Sequence, residues 1–172
     1  MRIITLLALC AILCCSQGHQ QEECLREHIR FPMIKEMLNI SKHIHKSLPK
    51  DNRASKRILG RHKKCYKNIA DFKHLLDIYE DHVFQKLWKN NAHLRPKIFM
   101  DSFRTLKNVM DRCVNRGPQT PSRCAREDLK KMEDNFRKLK PGDLYKAVSE
   151  FQNVLVWISL AMDRGRSHKK IH

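Results

Sequence analysis

Apolar residues recur every three or four positions along most of this chain, and that spacing points to α-helix and to little else. Met33, Met37, Ile40 and Ile44 share one face of a first helix, which Pro32 suits in its opening turn. A second line runs through Cys65, Ile69, Phe72, Leu76, Tyr79, Val83 and Leu87. A third, opening after Arg95-Pro96, holds Phe99, Phe103, Leu106, Met110 and Cys113. The loop NRGPQTPSR, residues 115–123, then breaks the pattern with two prolines and a glycine. Leu129, Met132, Phe136 and Leu139 follow, with Glu127 and Asp128 expected in the first turn, where the helix dipole favours anions. Pro141-Gly142 is expected to stop that helix and Asp143 to cap the last one, which aligns Leu144, Val148, Phe151, Leu155, Ile158 and Met162. Strand-like alternation is absent at useful length, so the predicted fold class is all-α, a helical bundle. The short link between the last two helices predicts antiparallel neighbours.

One stretch resists this pattern. Residues 47–67, SLPKDNRASKRILGRHKKCYK, set eight cations against Asp51, and from Lys50 to Lys64 only Ile58 and Leu59 interrupt them with apolar bulk. Like charges repel and there is little to bury, so the segment gains little by folding on itself. A second basic run closes the chain at 163–172, DRGRSHKKIH.

The first eighteen residues read as a secretory leader rather than as fold. Arg2 precedes a hydrophobic stretch from Ile3 to Cys15, and the small residues Ser16 and Gly18 suit cleavage after Gly18. The stretch is short for a membrane span, and the best later segment, Leu144 to Met162, contains Lys146 and Glu150. The expectation is a secreted, extracellular protein with a single domain over 19–172. The formal net charge of +17 speaks of anionic partners rather than of fold. Beyond the leader the cysteines are Cys24, Cys65, Cys113 and Cys124. An even number in a secreted chain implies two disulfides, with three pairings open, and no CxxC spacing argues for a metal.

Catalytic signatures are missing. No Gly-rich phosphate loop, HExxH or GxSxG occurs, and glycine appears only five times. Apart from His168 and His172 in the basic tail, none of the ten histidines forms an i, i+4 pair, so they read as surface histidines rather than ligands. No enzyme activity, cofactor or metal is expected. Asn39-Ile40-Ser41 is a glycosylation sequon, and at 100° per residue Asn39 lies about 130° from the apolar stripe, facing solvent. Trp157 sits opposite the stripe of the last helix, flanked by Val154 and Val156. Burial on more than one face explains it better than an exposed anchor does.

The segment KLKPGDLYKAVSEFQNVLVWI, residues 138–158, resembles the last helix of the interleukin-10 family of class II helical cytokines, through Lys146-Ala147-Val148-Ser149-Glu150. HLLDIYEDHVFQKL, His74 to Leu87, is similar to that family's helix C, and RILG, Arg57 to Gly60, to its segment between helices A and C. Gln152 departs from the acidic residue many members carry nearby.

The resemblance implies a six-helix cytokine bundle with disulfides Cys24–Cys113 and Cys65–Cys124. It implies a ligand that pairs two chains of a heterodimeric class II cytokine receptor and triggers JAK-STAT signalling in immune or epithelial defence. The implied receptor face holds Lys46, Arg53, Lys56 and Arg57, with Lys146 and Glu150 from the last helix. At 100° per residue, Lys146 lies about 160° and Glu150 about 120° from that helix's stripe, so both are expected to reach a partner. The charge itself suggests a second role, in which Arg61, Lys63, Lys64, Lys67, Arg164, Arg166, Lys169 and Lys170 bind DNA, heparin-like glycans or an anionic bacterial surface. Without interleaved aromatics such binding would be blind to base sequence. The alternative reading is thus a cationic antimicrobial or nucleic-acid-binding host-defence protein. The sequence leaves homodimer formation open.

Overall fold

The computed structural model describes residues 19–47, 57–59, 65–89 and 96–167, the side chains of Ser47 and of 164–167 excepted. These residues form six helices and, among them, no strand. Helix α1 covers 19–28 and α2 Phe31–Ser47. Helix α3 runs as an α-helix over Ile69–Tyr79, widens to a π turn at Glu80–Phe84 and ends as Gln85–Trp88. Then come α4, Lys97–Val114, α5, Arg123–Arg137, and α6, Pro141–Ser167.

The stripes of α3, α4 and α6 are buried as the spacing predicts. Three starts differ. Helix α3 begins at Ile69, not at Cys65, because the Asn68 side chain accepts from the Asp71 N–H and Asp71 accepts from the Asn68 N–H, a reciprocal cap. Helix α5 begins at Arg123 with Ser122 as its cap, which moves Glu127 and Asp128 beyond the first turn. Helix α6 starts on Pro141 itself, whose fixed φ suits a first helical position, and Asp143 sits inside that first turn. On α2 the buried line is Ile34, Met37 and Ser41, while Met33, Ile40 and Ile44 flank it half-buried.

The π turn has a packing consequence. The Gln85 N–H donates to the Glu80 carbonyl, adding a residue to one turn. Consecutive pairs, Val83–Phe84 and Leu87–Trp88, both turn inward as a result. Phe84 then stacks on Trp88 at 5.3 Å between ring centroids and meets Phe103 edge-on at 4.8 Å. Phe151 of α6 closes the cluster against Phe84 at 5.5 Å and Tyr79 at 4.8 Å.

Helix α6 runs antiparallel to α2: His45 meets Ser149, while the start of α2 lies by the end of α6. Helix α4 packs on α3 through Lys107, which pairs with Asp77 and Glu80, and Lys73, which pairs with Asp111 at 3.1 Å. The expectation that the last two helices are neighbours fails, since α5 has its main contact with α3. Tyr79 edge-on to Phe136 at 5.0 Å and Tyr66 Oη donating to Asp128 at 2.7 Å hold it there.

The disulfides pair Cys24 with Cys113 and Cys65 with Cys124, as the resemblance implied, and share one end of the bundle. Each closes a long loop and contributes about 2–4 kcal/mol by restricting the unfolded chain. Between them lies a buried polar hub. Asp71, fully buried, accepts N–H bonds from Lys67, Asn68 and Ser122 at 2.8, 3.0 and 2.7 Å. Gln21 donates to the carbonyls of Val114 and Pro118, with its amide packed against Gly117.

Candidate functional site

Among the described residues the basic segment meets the bundle twice, at Cys65 and Tyr66, buried at the disulfide end, and at residues 57–59. Residues 57–59 lie across α6 as a strap, non-helical, with Arg57 exposed, Ile58 half-buried and Leu59 inserted into the core at 2 % exposure. Leucine at that point supplies the apolar bulk that the cations around it lack. Its burial is worth roughly 1.5–3 kcal/mol against leaving it in water.

Glu150 pins the strap. Its carboxylate accepts the N–H of Leu59 at 2.7 Å and the N–H of Ile58 at 3.0 Å, with a second contact to Ile58 at 3.3 Å. A charged acceptor facing two backbone donors in a shielded place makes stronger bonds than a neutral one. This corrects the expectation for α6: Glu150 is 7 % exposed and Lys146 4 % exposed, so neither is an open contact residue. Angles measured from a single stripe mislead here because α6 is covered on several sides, by α2, by the π-turn region of α3 and by the strap.

More polar groups gather beneath the strap. His45 and Ser149 are 3.3 Å apart through Nδ1 and Oγ, and Ser149 Oγ donates to the Lys146 carbonyl at 2.8 Å. The hydroxyls of Ser41 and Tyr79 are shielded without a hydrogen-bond partner among the described residues. Burial, then the nearby Glu150 charge, pushes the Tyr79 phenol well above its ordinary range, so it stays protonated.

Of the residues singled out from sequence, Lys46 stands exposed near the end of α2 beside His45, which meets α6 at Ser149, the residue before Glu150. Arg53, Lys56, Arg61, Lys63, Lys64, Lys169 and Lys170 lie outside the described residues, as do the side chains of Arg164 and Arg166. Lys67 is exposed at the disulfide end, away from the strap, with its N–H on Asp71. Asn39 is exposed on α2 and Trp157 is buried, stacked on Tyr66 at 5.3 Å. Burial, then the Asp128 bond, pushes the Tyr66 phenol far above its usual range.

Chemistry beyond this is sparse among the described residues. Cys24, His28 and Cys113 place three potential ligand atoms within 4.8 Å, yet both sulfurs belong to a disulfide and offer no thiolate. His82 reaches Glu133 at 3.3 Å, and Glu133 is shared with Arg137 at 2.6 Å, an ion-pair cluster tying α5 to α3. Asp71 was legible in advance as the end of an Asn-x-x-Asp capping box; the inward turn of Glu150 had no local sign. Comparison with protein-family models, curated proteins and solved structures finds no match to this chain.

Proposed function

We propose that this protein is a secreted helical cytokine of the class II type, a ligand that engages two different receptor chains and acts through JAK-STAT signalling. Within that class the early Cys24, the stretch LPKDNRASKRIL and the heavy basic charge make interleukin-26 the member it most resembles. The observation that carries the reading is the strap: a cationic segment pinned at Ile58 and Leu59, with Arg57 standing free in front of it. A rigid anchor behind an exposed guanidinium is what a protein contact needs, because it lowers the ordering cost of binding. Two disulfides suit an oxidising compartment, and no helix among the described residues is long and apolar enough to cross a membrane.

The test is a reporter assay on cells carrying defined pairs of class II receptor chains, run beside a binding titration and a thermal melt. Arg57→Ala is expected to lower potency tenfold or more, about 1.4 kcal/mol or above, with the melt unchanged. A silent reporter with every pair would remove the cytokine reading. Unchanged affinity for Arg57→Ala would remove Arg57 from the interface.

A second reading, a cationic host-defence protein that binds DNA, glycans or bacterial surfaces, is favoured by the +17 charge and by the exposure of Lys35, Lys42, Lys46 and Lys67. It requires affinity that falls steeply with salt. Charge reversal at Lys63, Lys64, Lys169 and Lys170 separates the two readings, since it should abolish anion binding and leave receptor signalling intact.

A further inference from the structure

We propose that the Arg57–Ile58 peptide bond is a processing site for a trypsin-like serine protease, and that Glu150 captures the new Ile58 α-ammonium in a two-chain form of the protein. Lys56-Arg57 is the only Lys-Arg pair in the chain. An arginine that follows a second cation suits a protease whose specificity pocket carries a carboxylate. Nicking concentrates in exposed, irregular chain. Arg57 is exposed and non-helical, whereas the other adjacent cation pairs among the described residues, Lys130-Lys131 and Arg137-Lys138, lie within α5 and at its C-terminal cap.

Glu150 is placed for the product. The Ile58 nitrogen faces both carboxylate oxygens, at 3.0 and 3.3 Å, and the Leu59 N–H donates to one of them at 2.7 Å. A peptide nitrogen has one hydrogen to offer those two oxygens. Hydrolysis adds one water across the bond: its oxygen stays on the Arg57 carbonyl carbon, which becomes a carboxylate, and both its protons end on the Ile58 nitrogen. The resulting ammonium carries three hydrogens and a full charge. The same nitrogen in the same place therefore holds the carboxylate more strongly than the peptide group did. Because Cys24 lies before the nick and Cys113 after it, their disulfide keeps the two pieces joined.

The protease reaches the bond through an opened strap. Ile58 is half-buried and Leu59 buried, so both lift before the chain fits a protease cleft. A non-helical strap held by the Glu150 bonds and one apolar side chain opens locally, without the bundle. After the cut, Leu59 and the ammonium return to the places their uncut forms held. The nick parts Arg57 from the anchored Ile58, so the guanidinium loses its rigid backing. Cleavage and capture rest on the strap alone and stand whether or not the receptor reading does.

The experiment treats the full chain, both disulfides intact, with a trace of trypsin and maps the new N-termini by mass spectrometry. The expected first product begins at Ile58, stays in one piece until reduction and then separates into two. Arg57→Gln, at an exposed position with little folding risk, should remove that product. Glu150→Gln, which loosens the strap, should speed the cut tenfold or more, because cleavage tracks the open population when reclosing is fast. Capture is read by acylating the nicked chain at pH 8. The Ile58 amine should react at least tenfold more slowly than in the urea-unfolded chain, where it titrates at about 7.7–8.0. Most of that protection should vanish in nicked Glu150→Gln. If Glu150→Gln misfolds, the Arg57→Gln digest and the folded-against-unfolded comparison still decide. First cuts elsewhere in 47–67, an unchanged rate in folded Glu150→Gln, or an Ile58 amine equally reactive folded and unfolded would each overturn the proposal.

Discussion

Replacing Glu150 by glutamine asks whether the strap is held where the structure puts it. The side chain keeps its length and one carbonyl oxygen, but loses its charge and turns an amide NH2 toward two backbone donors. The two bonds from Ile58 and Leu59 are to a charged acceptor, for which about 1.5–3 kcal/mol each is typical. The substitution should remove roughly one of them, so local opening of 57–59 should become ten- to a hundredfold more frequent, at about 1.4 kcal/mol per factor of ten. Native-state hydrogen exchange reads this directly, because the amides that speed up are the two that donate to Glu150. Buried amides of α4, such as those of Phe103 and Leu106, report global unfolding and should stay slow. Equal exchange at Ile58 and Leu59 in both proteins would show that the carboxylate holds nothing. Equal acceleration everywhere would show that Glu150 supports the whole bundle rather than the strap.

Other perturbations test the disulfide end and the α3–α5 seam. Asp71→Ala strands three N–H donors beside a buried site and should lower stability by about 3–5 kcal/mol in urea unfolding, with Asp71→Asn costing less. Gly117→Ala places a Cβ 2.6 Å from the Gln21 side chain and should cost about 1–3 kcal/mol, seen as a lower melting temperature that Gln21→Ala in the same chain partly restores. Arg137, then His82, hold the Glu133 carboxyl below the usual carboxylate range against a small opposing effect of desolvation. Its folded value being lowered, this contribution is present at neutral pH and is lost as pH falls through that lowered value. Glu133→Gln should therefore flatten the acid limb of the melting curve slightly, and an unchanged limb would mean that the cluster is screened by solvent.

Much of the fold was written locally. The lines Phe72–Leu76–Tyr79–Val83–Leu87, Phe99–Phe103–Leu106–Met110 and Leu144–Val148–Phe151–Leu155 are buried because a 3.6-residue period leaves one face to be hidden from water, whatever covers it. The cap at Asn68 and the breaks at Pro118, Pro121 and Pro141 act within a few residues, so they too can be read along the chain. What covers each face was decided only by the tertiary structure. Glu150 and Lys146 look like solvent-facing residues of a helix until the strap and α2 close over them. Asp71 draws a donor from Ser122, and α5 attaches to α3 rather than to its neighbour in sequence, through contacts 51 and more residues apart. The inward rotation of Phe84 and Trp88 depends on an i, i+5 turn that no apolar pattern announces. Apolar burial is a property of the residue and its period. Burial of a charge or a hydroxyl depends on a partner arriving from elsewhere, and that arrival is a fact of three dimensions.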